Sequence, residues 1–193
     1  GITFSCRRKI SDGICYAVNG ENQYHAVIGG NQCFAVCPSD MATALLASDA
    51  RINTVSTSGG RSISISELYT SLGITLEPDE VITSIQVPDI GSEVKQRFLK
   101  FRVRKAIDFA IVSVAMIIKL ESEIVKDARI VLGGVSAEPY RALKAEEIIK
   151  GERLTESLAA EAARVALNDA QPLNKNSYKV PIAEALVKRA LLE

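Results

Sequence analysis

The 193-residue sequence has no tryptophan, a single histidine, and only five tyrosines and five phenylalanines. A surface that stacks successive bases of a single nucleic-acid strand is therefore poorly supplied. Net charge is missing as well: 23 Lys and Arg balance 23 Asp and Glu, so no overall field draws in nucleic acid or an anionic membrane. The local basic runs Arg7-Arg8-Lys9 and Arg97 to Lys105 read as solvated faces or strand edges rather than binding patches. The longest apolar stretch, Ile111 to Ile118, is interrupted by Ser113 and falls far short of the roughly 20 residues a membrane span needs. No basic segment followed by an apolar one stands at the start, so no signal peptide is expected, and reduced cysteines in a cytoplasmic protein are. With one histidine and no nucleophile elbow, the sequence carries no pattern for a nucleophile and its base. No catalytic acid or base is expected, and His25, beside Tyr24 and Ala26, reads as a structural histidine.

What is present begins with four cysteines, all before residue 38. Cys6, Cys15, Cys33 and Cys37 form no Cys-x-x-Cys knuckle, so a structural zinc site lacks its signature. Cys33 and Cys37 sit in a strand-like apolar run (CFAVC) and read as small buried hydrophobes. Cys6 and Cys15 lie among polar residues and glycine. Thiolates spread through irregular backbone suit an iron–sulfur cluster, whose sulfides need a chain that can curl around them and donate hydrogen bonds.

The apolar fraction, 47%, can bury a core without disulfides. Residues 1 to 32 show little periodicity and read as irregular. Pro38-Ser39-Asp40 ends the CFAVC run, and Ser39 or Asp40 is placed to cap a helix over Met41 to Ser48. Arg51 to Thr57 and Arg61 to Ile65 alternate about Ser58-Gly59-Gly60, which predicts a hairpin. Ser66 is expected to cap a short helix ending near Leu72-Gly73, and Val81 to Val87 reads as a strand stopped by Pro88. Strands over Gln96 to Arg102, Ile111 to Glu121 and Ile124 to Leu132 predict an antiparallel meander. Helices are expected over Arg141 to Lys150, Thr155 to Leu167 and Tyr178 to Leu192. The expected class is α+β, divided into residues 1–88 and 94–193 with a linker between. Gly29-Gly30-Asn31 is a turn that could bring backbone amides to a ligand's phosphate or sugar.

Taken together, GGNQCFAVCPSDMATALLASDARI, the Gly-Gly-Arg hairpin, LEPDEVITSIQVP, KFRVRKAIDFAIVSVAMIIKL and ARIVLGGVSAEPYRALKAEEIIKG resemble the flavoprotein (medium) subunit of molybdenum hydroxylases. That family includes the flavin subunits of carbon monoxide dehydrogenase, xanthine dehydrogenase and 4-hydroxybenzoyl-CoA reductase. The resemblance implies part of an FAD-binding α+β domain over residues 1–88, then a three-stranded antiparallel sheet packed on helices. It implies an electron-transfer role, with electrons passing from iron–sulfur clusters through FAD to an external acceptor. It places Ser39 and Asp40 along the flavin, Asn31 as a further flavin contact, and Asp108 and the Val81-Ile82 backbone against the isoalloxazine ring.

It also implies a molybdopterin-binding large subunit and a 2Fe–2S small subunit as partners. The glycine-rich loop that holds the FAD pyrophosphate in the family has no counterpart in these residues. The expectation is therefore of a cleaved or truncated fragment, or of a separate polypeptide carrying the N-terminal half of the FAD domain. One branch of the family carries an additional [4Fe–4S] cluster in its flavin subunit. That likeness marks Cys6, Cys15 and Cys33 as ligands, with the fourth upstream of Gly1 or supplied by Cys37. Ile111 departs from the xanthine dehydrogenase branch, which has a lysine there. A charged regulator of NAD access is thus not expected. The alternative to the electron-transfer reading is a structural module with inert cysteines.

Overall fold

The computed structural model describes residues 5–30, 33–105 and 107–193. No helix or strand forms among the described residues before α1 (Asp40–Ala47). The chain then runs through β1 (Arg51–Ser56), β2 (Gly59–Ser64), α2 (Ile65–Leu68), β3 (Tyr69–Thr70), β4 (Gly73–Ile74) and β5 (Val81–Gln86). It continues through β6 (Val94–Phe101), β7 (Val112–Glu121), β8 (Ile124–Gly133), β9 (Tyr140–Arg141), α3 (Leu143–Ile149), α4 (Glu156–Ala166) and α5 (Lys179–Leu192). The class is α+β with antiparallel sheets, as the sequence predicts.

Strand β7 explains the architecture. Its first seven residues are all buried, and because side chains alternate across a strand that requires cover on both faces. Val112, Val114, Met116 and Ile118 join α3, α4 and α5 in one core, whose helical contribution includes Ala145, Ile149, Ala159, Ala163, Val187 and Leu191. Ala115 and Ile117 face the other way, into a second core with Leu45 and Leu46 of α1 and Ile52, Ile63, Ile65 and Leu68. Each fully buried Leu or Ile is worth about 1.5–3 kcal/mol against exposure, and the continuous apolar run is the record of this two-sided burial.

The main sheet has the order β6-β7-β8-β9. The sequence predicts three of these strands; the fourth, Tyr140–Arg141, is too short to show a period. β7 turns into β8 through Ser122 and Glu123, both at positive φ (51° and 71°), the two-residue hairpin geometry that matches strand twist. The Gly133-Gly134 pair ends β8 for steric reasons. A Cβ at Gly133 would collide with the Ser113 and Thr43 hydroxyls, so glycine there is what lets α1 lie close on the sheet.

Other elements differ from the sequence reading in detail. Cys33 to Cys37 is extended but joins no ladder: the Phe34 carbonyl accepts from Ala26 N–H (2.8 Å), and Cys37 N–H donates to Ser136 O (2.9 Å). The helix expected from Ser66 to Leu72 covers only Ile65–Leu68. Its cap is Ser64, in a capping box with Glu67. The smaller sheet, β2-β1-β5, carries a register shift at Asn53/Thr54 that sets Ile82 opposite Thr54 and Ile85 opposite Ile52. These residues, three apart, thereby share one face. No helix among the described residues is long and apolar enough to cross a membrane.

Candidate functional site

Two segments converge on a cleft of about 420 Å³, lined by Tyr24, Val36, Pro38, Val103, Arg104, Asp108, Phe109, Ala110 and Ile111. One wall is the irregular chain leading into α1; the other is the connection from β6 to β7, closed at its base by Ile111 N–H donating to Phe101 O (2.9 Å). The lining is mainly apolar and aromatic with a few polar groups, the composition of a small-molecule or cofactor site.

At its edge Pro38 stops the extended run and α1 begins. Ser39 Oγ accepts from Ala42 N–H at 3.0 Å, so this hydroxyl caps the helix. Asp40 occupies the first turn, where a carboxylate also complements the helix dipole. Its Oδ2 accepts from Lys100 Nζ at 2.6 Å, whereas its Oδ1 is buried with no hydrogen-bond donor among the described residues. A buried acceptor left in that state is costly unless a ligand serves it. On the opposite wall, Asp108 accepts from Arg104 Nε at 3.1 Å and from Phe109 N–H at 3.0 Å. Arg104 is 73% exposed, so this pair contributes at most a fraction of about 1 kcal/mol. Phe109 and Val103 project from the same loop and are strongly exposed.

The structure sets Asp108 in the cleft lining and Ser39 and Asp40 directly after the lining residue Pro38. It does not bring Val81 and Ile82 there: both lie on β5, at the edge of the smaller sheet, 62% and 41% exposed, and neither lines the cleft. The start of β5 is held instead by Glu80, which accepts from Arg61 Nε at 2.6 Å and from the Thr54 hydroxyl. Asn31 lies outside the described residues. Ile111 lines the cleft as an apolar residue.

The cysteines do not converge. Cys33 and Cys37 are buried, Cys6 and Cys15 half-buried, and all four are free thiols. Among the described residues no three His, Cys, Asp or Glu side chains are grouped to hold a metal. Cys33 Sγ accepts from Ala35 N–H at 3.4 Å. Burial pushes the Cys37 thiol up, opposed by the Ser39 amide. Among the described residues, therefore, the cysteines form no assembled cluster site.

Sequence reasoning missed Tyr24, which falls in a stretch without period, and did not single out Val36 or Pro38, although both lie in the CFAVC-Pro-Ser-Asp motif beside Ser39 and Asp40. It also missed what holds Tyr24. Burial, and the charge on Lys179, lower the pKa of neighbouring His25, which keeps its imidazole neutral near pH 7.

Two domain families match this sequence: residues 18–90 match the FAD binding domain in molybdopterin dehydrogenase, and residues 97–193 the CO dehydrogenase flavoprotein C-terminal domain. The chain belongs to the family of FAD-binding medium subunits of molybdenum hydroxylases. Medium-subunit relatives include the aldehyde oxidoreductase FAD-binding subunit PaoB of Escherichia coli (strain K12), 32% identical over 97% of this chain and 58% of the relative. The glyceraldehyde dehydrogenase medium chain of Sulfolobus acidocaldarius is 30% identical over 86% of this chain and 60% of its own length. The chain therefore spans about three-fifths of the length of these medium subunits. The fold is shared with a carbon monoxide dehydrogenase from Hydrogenophaga pseudoflava (TM-score 0.75, 24% identity, 80% of this chain and 55% of that one). It is shared too with quinoline 2-oxidoreductase from Pseudomonas putida 86 (TM-score 0.74, 24% identity, 88% and 63%).

Proposed function

We propose that this chain forms part of the FAD-holding, electron-transferring subunit of a molybdopterin-dependent dehydrogenase, and that the cleft between Tyr24–Pro38 and the β6–β7 loop receives the flavin. The observation that carries this reading is Asp40 Oδ1, a buried carboxylate oxygen without a donor among the described residues, two positions after Pro38 of the cleft lining, in a chain whose residues 18–90 match an FAD-binding domain.

The residues fit the group. With Oδ2 fixed by Lys100, Asp40 has one acceptor left for a ribityl or ribose hydroxyl, and Ser39, already committed to its helix, positions Asp40 more than it contacts ligand. Tyr24, Pro38 and Phe109 offer exposed apolar and aromatic surface for a planar ring. Asp108, steadied by Arg104 and the Phe109 amide, sets a negative charge beside that surface and so bears on the electronics of whatever ring lies there. FAD, when bound, supplies the ability to exchange electrons singly or in pairs. Val81 and Ile82, exposed on β5, would meet the ring only through a different arrangement of that strand.

The reading extends to partners: a molybdopterin-binding large subunit where substrate is oxidised, a 2Fe–2S small subunit, and a polypeptide that completes the FAD domain, in the cytoplasm. The competing reading is a structural module of the same complex, favoured by the scattered cysteines, two of them buried. Extraction of the purified complex decides between them. The proposal expects about one FAD per chain and flavin absorbance; a complex with neither leaves the structural module. Iron and sulfide analysis of wild type and Cys15→Ser addresses the cluster separately, since iron lost with Cys15 would require Cys6, Cys15 and Cys33 to come together.

A further inference from the structure

We infer that Asn176 and Lys179, at the start of the C-terminal helix and absent from the cleft lining, are positioning residues for the cleft, acting by fixing the backbone that presents Tyr24. The inference rests on the cleft being the flavin site.

The observation is a run of five successive carbonyls. Gln23 O accepts from the Tyr178 hydroxyl (2.8 Å), Tyr24 O from Lys179 Nζ (3.2 Å), and His25 O from Lys179 Nζ (3.0 Å) and Asn176 Nδ2 (3.1 Å). Ala26 O accepts from Asn176 Nδ2 (3.1 Å) and Val27 O from Gln171 N–H (2.6 Å). Every donor comes from residues 171–179, about 150 positions away in sequence. The third proton of Lys179 goes to Gly134 O, at the end of β8, so the ammonium group is a tripod joining the cleft segment, the main sheet and α5. Asn22 extends the grip: its Nδ2 donates to Asn174 Oδ1 (2.7 Å), and its Oδ1 accepts from Lys175 N–H (3.0 Å).

A merely structural lysine is a poor explanation of this arrangement. Lys179 is 1% exposed, Asn22 and Asn176 fully buried, and the salt bridges found for the described residues include none to Lys179. Burying an ammonium against carbonyls alone is expensive, and an apolar residue would fill the same space at lower cost. What the polar set supplies is direction. The segment from Asn22 to Val27 belongs to no helix or strand, so side chains replace the ladder that would otherwise fix it, and the one residue of this stretch that reaches the cleft is Tyr24. Its neighbours Gln23 and His25 each keep a buried atom, Oε1 and Nδ1, without a hydrogen-bond partner among the described residues, while the carbonyls of Gln23, Tyr24 and His25 are all bonded.

The reporter is read on the full chain by itself, and FAD binding on its complex. Because the sequence lacks tryptophan, Tyr24→Trp installs a single reporter on the cleft wall, read by acrylamide quenching and anisotropy without FAD. FAD affinity and the visible circular dichroism of bound flavin are measured in the Tyr24 background. Lys179→Met and Asn176→Ala are compared with Val187→Ala, a core change in the same helix, and with Lys179→Arg. The inference expects the first two to raise reporter quenching at least twofold and weaken FAD tenfold or more. Val187→Ala, at equal loss of Tm, should change neither, and Lys179→Arg should restore part of both. If Lys179→Met does not fold, Asn176→Ala carries the comparison. A reporter unchanged by Asn176→Ala, or flavin loss that follows Tm equally in Val187→Ala, overturns the inference. A wild-type complex without FAD would sink the flavin reading alone, since the reporter still measures the wall.

Discussion

Lys179 makes a quantitative prediction about stability and pH. Burial pushes its amine down from 10.5 to about 8. The direction follows from burial penalising the charged form. The unfolded chain keeps the proton up to about pH 10.5, the folded chain only to about 8, so between those values the unfolded state binds more protons and folding stability rises with pH. Below pH 8 both states are protonated and the contribution is flat. The full rise is about 3 kcal/mol at 1.36 kcal/mol per unit. Replacing Lys179 with Met removes it. At pH 7 the variant strands the carbonyls of Tyr24 and Gly134, while His25 O keeps Asn176. That costs about 1–3 kcal/mol per acceptor, offset by no longer burying a charge, for a net loss of about 1–2 kcal/mol. Urea denaturation of wild type and Lys179→Met from pH 7 to 10.5 reads the difference directly, since Cys37 and the tyrosines titrate in both proteins and cancel. The gap should stay constant to pH 8 and then widen in favour of wild type. A gap that stays flat to pH 10.5 would refute the reasoning and show that the three carbonyls hold the ammonium as firmly as water does.

Three further outcomes follow from single contacts. Glu146→Ala should cost about 3–5 kcal/mol in urea denaturation, because it removes the acceptor of both the Ile130 amide (2.8 Å) and Arg141 Nε (3.0 Å) in a buried setting; a loss below about 1 kcal/mol would contradict this. Gly133→Ala should cost about 1–3 kcal/mol from overpacking, since its methyl meets Thr43 and Ser113, and the additional change Thr43→Ala should recover part of the loss, seen as a rise in Tm. Asp40→Asn should change stability by less than about 1 kcal/mol, its ion pair being partly exposed, yet weaken FAD roughly tenfold by turning a charged acceptor into a neutral one; equal affinity would remove Asp40 from the site.

What was legible in the sequence followed local physics. The run from Val112 to Ile118 is apolar on both faces because helices cover one and α1 the other, so it reads as a buried strand without further help. Pro38-Ser39 marks a helix start because the cap lies three residues from the amide it serves. Ser64, with Glu67 at the required spacing, carried the same signal, and the nearby Ser66 masked it. The Asn22–Val27 segment was illegible for the opposite reason: its hydrogen bonds go to side chains far along the chain, which no window of neighbouring residues contains. The same holds for Val81 and Ile82, whose strand pattern was readable while their place at a sheet edge, away from the cleft, depends on pairing with β1. Cysteine spacing likewise says nothing of distance in an irregular loop.

The central claim is that FAD lies between Tyr24 and the β6–β7 loop. An experimental structure of the complex with FAD tests it most directly. The account predicts the isoalloxazine ring against Tyr24, Pro38 and Asp108, with a flavin hydroxyl donating to Asp40 Oδ1. Flavin bound away from these residues, with Asp40 Oδ1 still without a donor, would contradict it.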